Sequence, residues 1–192
     1  SNFNIDQIGN SNVLTFDING ANYTGTFSTT GNSNDIDIKC DSGGTVSSCA
    51  TVTASIIWVG SSNDLDIDIG ETADATGANV SITGASGSDS NVVATTIDGT
   101  SVIFTLSVNG DTNNFLVDID GDGDSAGTVS SCATVTASVI WVGSSNDLDI
   151  DIGETADATG AAVTITGASG SDSNVIAGTV DGTSVIFTLS VN

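Results

Sequence analysis

Short stretches of the chain alternate strictly between apolar and polar residues. In Asn34-Asp35-Ile36-Asp37-Ile38 the even positions after the asparagine are apolar and the odd ones acidic. Asn63-Asp64-Leu65-Asp66-Ile67-Asp68-Ile69 does the same, as does the run from Asn146 to Ile152. A period of two puts every apolar side chain on one side of an extended strand, so each run predicts a strand with one buried face. Between such runs recurs a short turn, Gly-x-x-Asn or Gly-x-x-x-Asn. Its asparagines are Asn12, Asn34, Asn63, Asn91, Asn113, Asn146 and Asn174; its glycines are Gly9, Gly31, Gly60, Gly87, Gly110, Gly143 and Gly170.

With asparagine taken as inward-pointing, the phase is coherent along much of the chain. Phe3, Ile5 and Gln7 point inward before the first turn, and Leu14, Phe16 and Ile18 after it. Ile56 and Trp58 precede the third turn; Leu65, Ile67 and Ile69 follow it. Two strands and a tight turn make a rung that cannot bury its face alone, so rungs must stack. The expectation is all-β: a β-solenoid of about seven stacked two-strand rungs. Tandem β-sandwich repeats are the alternative. In the solenoid, equivalent asparagines lie above one another and can hydrogen-bond along the stack as a ladder. Asparagine also suits turns for local reasons.

A longer repeat overlies this one. Gly44–Asn109 returns as Gly127–Asn192, offset by 83 residues with six changes in 66 positions. Residues 1–192 therefore read as one continuous solenoid, with internal repeats 1–26 (partial), 27–109 and 110–192. Trp58 and Trp141 are equivalent inward positions of the long repeat and read as core, with carbohydrate stacking as the alternative.

Composition narrows the function. There is no histidine, proline or methionine, and Lys39 is the one basic residue against 24 acids, a net charge of −23. Nucleic acid requires a basic footprint and is excluded as a partner. No apolar run approaches the ~18 residues of a membrane span, so membrane insertion is not expected. Without histidine, general-base and triad chemistry lack their usual agent, and no enzyme is expected. The acidic strands place Asp64, Asp66 and Asp68 on one outer face, and Asp147, Asp149 and Asp151 on another. Rows of carboxylates are candidate ligands for calcium, which takes several oxygens; a solvated face that maintains solubility is the alternative. Asp118-Ile119-Asp120-Gly121-Asp122-Gly123-Asp124 resembles the start of a calcium loop, although Val129 stands at the twelfth position where a bidentate acid belongs. Cys40 and Cys49 flank a glycine-rich excursion and are candidates for a disulfide, which leaves Cys132 free or bonded to another copy.

Ser1-Asn2-Phe3-Asn4-Ile5-Asp6-Gln7-Ile8-Gly9-Asn10-Ser11-Asn12 resembles a curlin repeat, whose pattern is Ser, an internal Gln, then Gly-x-x-Asn. Gly31-Asn32-Ser33-Asn34 and Gly60-Ser61-Ser62-Asn63 keep the second half of that pattern. The internal Gln occurs only at Gln7; Thr29, Trp58, Val108 and Trp141 take its place elsewhere. The resemblance implies a secreted, cell-surface subunit whose solenoid continues from one molecule to the next in biofilm or adhesion fibres. The expected partner is then the chain itself, as a homopolymer. Val185–Asn192 forms only the first half of a rung, so the expected contact sets Phe3, Ile5 and Gln7 of one copy near Phe187, Leu189 and Val191 of the next. The competing expectations are a calcium-binding adhesin module with a carbohydrate or other surface ligand, and an ice-binding threonine face hinted at by Thr51-Val52-Thr53 and Thr164-Ile165-Thr166.

Overall fold

The structure is a computed structural model that describes residues 2–18, 22–40, 51–70, 75, 77–120, 134–153, 158–168 and 173–191. Its strands are β1 (Asn2–Ile8), β2 (Val13–Ile18), β3 (Asn22–Thr30), β4 (Asp35–Cys40), β5 (Thr51–Val59), β6 (Asp64–Ile69), β7 (Gly77–Gly84), β8 (Val92–Asp98), β9 (Ser101–Asn109), β10 (Asn114–Asp120), β11 (Thr134–Val142), β12 (Asp147–Ile152), β13 (Ala161–Gly167), β14 (Val175–Val180) and β15 (Ile186–Val191).

Odd-numbered strands form an eight-stranded sheet and even-numbered strands a seven-stranded sheet, each in chain order. Every neighbouring pair is parallel. Parallel neighbours need a crossover, and here the crossover is the strand in the opposite sheet. This is a β-solenoid, not a row of antiparallel sandwiches. Strands from residues 27–109 and 110–192 follow one another in the same two sheets.

Period-two alternation fixes which side of each strand is buried, because a slip of one residue would turn the apolar set to water. Ile5, Phe27, Ile56, Ile82, Leu106, Val139 and Ile165 stack in register as one inner column. Facing them in the even sheet, Phe16, Ile38, Ile67, Thr95, Val117 and Ile150 form another. Sheets packed ~10 Å apart leave little room for tryptophan, and its neighbours in the stack compensate. Gly84 sits beside Trp58, where a Cβ would come within 2.6 Å of the indole; Gly167 sits beside Trp141, where the gap would be 3.1 Å. Both indoles are buried in the core.

Candidate functional site

The first polar feature is built into the turns. The residue before each asparagine (Ser11, Ser33, Ser62, Ser90, Thr112, Ser145 and Ser173) has φ of 56° to 60°, the left-handed region that side chains seldom adopt. That conformation returns the chain while aiming the asparagine inward. The turn glycines meet a second demand. A Cβ on Gly31 would collide with the carbonyl oxygen of Gly9 in the layer before, and one on Gly60 with that of Gly31. Their φ values of 137° and 129° also favour glycine.

The structure brings all seven asparagines together. Asn12 Nδ2 donates to Asn34 Oδ1 at 3.1 Å, and the same oxygen accepts the Asn12 backbone N–H at 3.0 Å. The pattern repeats from Asn34 to Asn63, Asn63 to Asn91, Asn91 to Asn113 and Asn113 to Asn146. At the last step only the backbone N–H of Asn146 reaches Asn174 Oδ1, at 2.8 Å, while the Asn146 amide turns to Gly110 O. Asn34, Asn63, Asn91, Asn113 and Asn146 are buried, so each amide answers a buried backbone donor that would otherwise go unpaired.

A second, exposed ladder escaped sequence reasoning. Asn10 Oδ1 accepts from Asn32 N, Asn32 Oδ1 from Ser61 N, Asp89 Oδ1 from Asp111 N, and Asp111 Oδ1 from Ser144 N, at 2.6 to 2.8 Å. Its signal was present: Asn or Asp stands two positions before the ladder asparagine in five of the seven turns.

The carboxylates occupy the outer face of the even sheet. Asp35 lies opposite Asp64, Asp37 opposite Asp66, and Lys39 opposite Asp68. Lys39 Nζ is 3.0 Å from Asp68 Oδ2 and 3.9 Å from Asp37 Oδ1. Carboxylate oxygens of Asp37, Asp66 and Asp68 lie within 4.8 Å of one another. Burial, then the charge of Asp68, raises the Asp66 carboxyl above the ordinary range; the hydrogen bond to Asp68 raises Lys39. The rows break at β8, whose outward residues are Val92, Ala94 and Thr96. Beyond it lies a separate patch in which Asp118 pairs with Asp151 beside Asp147 and Asp149. Asp118 and Asp120 belong to strand β10; Asp122 and Asp124 lie outside the described residues. Cys40 is buried and disulfide-bonded, and Cys49 and Cys132 also lie outside the described residues.

The two ends of the stack differ from its middle. Phe3, Ile5 and Gln7 are half-buried in β1, where Thr29 Oγ1 donates to Gln7 Oε1 at 3.4 Å. Phe187, Leu189 and Val191 hold the inward phase of β15 yet are 44%, 51% and 48% exposed, because no described strand lies opposite β15.

No family model matches the chain, and neither does any curated protein or solved structure. The fold and its ladders therefore define the class by themselves: an acidic, all-parallel, two-sheet β-solenoid stitched by an internal asparagine ladder. Among the described residues no helix is long and apolar enough to cross a membrane.

Proposed function

We propose that the chain is the structural subunit of an extracellular filament, extended by end-to-end stacking of copies. One observation carries this reading. Phe187, Leu189 and Val191 occupy core phase but stand in water, next to a strand edge whose backbone groups are a template for another strand. At the other end Phe3, Ile5, Leu14 and Phe16 are only partly covered. A contact between two different ends of identical molecules is heterologous and does not close, so it propagates. The curlin-like pattern of Ser1–Asn12 supports the same reading, and the disulfide at Cys40 suits an oxidising, cell-surface setting.

The carboxylate cluster gives a second reading, a calcium-binding adhesin module, some footing. Lys39 already supplies a cation to that cluster at 3.0 Å, which favours the filament.

The test is electron microscopy and sedimentation of the purified chain, with and without calcium, beside Leu189→Asp. Unbranched filaments from the wild type and dispersed protein with unchanged circular dichroism from the variant are expected. Filaments unaffected by the substitution, or a wild type that stays monomeric throughout, would overturn the proposal.

A further inference from the structure

The charge of the molecule is segregated. The even-sheet strands contain twelve aspartates; the odd-sheet strands contain one, Asp6, and no other charged residue. On the outer face of the odd sheet, Thr26, Ser55, Ser81, Thr105, Ser138 and Thr164 follow one another in register as an unbroken row of small hydroxyls. Beside this row Ile57, Val59, Ile140 and Val142 are 37–42% exposed. We infer that two copies of the chain pair laterally through the outer faces of their odd sheets.

Three observations select a second copy as the occupant. The first is charge: a chain at −23 cannot bring its aspartate face near another copy, but its odd-sheet face has almost nothing to repel. With sheets ~10 Å apart, paired odd sheets hold the two aspartate faces roughly 30 Å from each other, well beyond the ~8 Å Debye length at physiological salt. The second is area. Eight strands at ~4.8 Å and about seven residues at ~3.3 Å cover roughly 900 Å² per copy, against ~800 Å² for a stable interface. The third is side-chain size: a continuous row of serines and threonines puts no bulk between two sheets, so they can approach closely and exclude water.

The apolar pairs also give an orientation. Ile57 and Val59 lie on β5, Ile140 and Val142 on β11, with β7 and β9 between them. A twofold axis along the strands, between β7 and β9, sets the first pair of one copy against the second pair of the other, so both bury in one self-complementary contact. The same axis places Asp6 opposite Ser190, and no like charges meet.

Lateral pairing needs only the fold, not end-to-end growth, and the test separates the two. In an end-blocked variant (Ile5→Asp with Leu189→Asp) at physiological salt, sedimentation should show a species of twice the chain mass. Adding Thr105→Asp, or Ile140→Asp at the edge of the face, should weaken that dimer ~tenfold or more, since each buries an unpaired carboxylate against an uncharged residue of the other copy, Ser81 or Ile57; Thr96→Asp on the other sheet should not. Circular dichroism of each variant checks the fold. A dimer that survives both odd-face substitutions overturns the inference. So does an end-blocked monomer, including one that binds an insoluble neutral polysaccharide such as cellulose through this face, whatever the unblocked chain does by microscopy.

Discussion

Gly84 and Gly167 vacate the space that Trp58 and Trp141 fill, so each large–small pair behaves as one packing unit spread over two layers. A methyl group at position 84 would have to push a buried indole in a close-packed interior. Gly84→Ala should therefore cost about 1–3 kcal/mol, the usual range for overpacking, read from the shift of a urea unfolding midpoint. Adding Trp58→Phe removes the ring atoms nearest the new methyl and should return part of the loss. If Gly84→Ala unfolds at the wild-type midpoint, the pair is not a packing unit.

At the scale of the element, the turn is the repeating device. A left-handed serine or threonine, a glycine with no side chain against the layer before, and an inward asparagine are parts of one conformation. The asparagine amide does double service: its oxygen satisfies a backbone N–H of the neighbouring turn and its nitrogen continues the ladder. Asn91→Ala leaves the buried Asn63 N–H without its acceptor. A buried unpaired donor and the lost amide bonds together should cost about 2–4 kcal/mol. Asn12→Ala should cost distinctly less, because the described ladder continues on only one side of Asn12. Thermal melts of the two variants check this, and equal losses would count against the ladder as a source of stability.

For the whole molecule the governing quantity is charge. Asp66 has a raised folded-state pKa, so just above the ordinary carboxylate range of ~4 the folded chain binds more protons than the unfolded one. Stability then falls as pH rises through that window and returns on acidification; the general repulsion of a −23 chain acts in the same direction. Lys39 has the same sign of pH dependence at a higher pH: its raised pKa contributes stability that is lost only above the ordinary lysine range. The melting temperature should be higher at pH 5 than at pH 7. Asp66→Asn should raise it at pH 7, by about 0.5 kcal/mol in stability, as relief of opposed like charges does, and should flatten the pH dependence. A melting temperature that drops from pH 7 to pH 5 would contradict this assignment of charge.

By itself the sequence determined what is local and periodic. Alternation over Asp64–Ile69 or Asp147–Ile152 states which side of the strand is buried, and recurring Gly-x-x-Asn states where the chain turns, because both follow from the two-residue geometry of extended backbone. Recurrence of one turn at one phase made stacking legible as well, since only stacked layers bury such faces. Tertiary structure decided what depends on which layer lies next to which. The alternating runs do not say that Lys39 stands beside Asp68, that the uncharged outer face of β8 splits the carboxylates, or that Gly84 makes room for Trp58. Those pairings join residues 26 to 29 positions apart, through connections of unequal length that no short-range pattern encodes. The odd face, charged only at Asp6, belongs to the same category: it becomes a surface only when the register stacks eight strands.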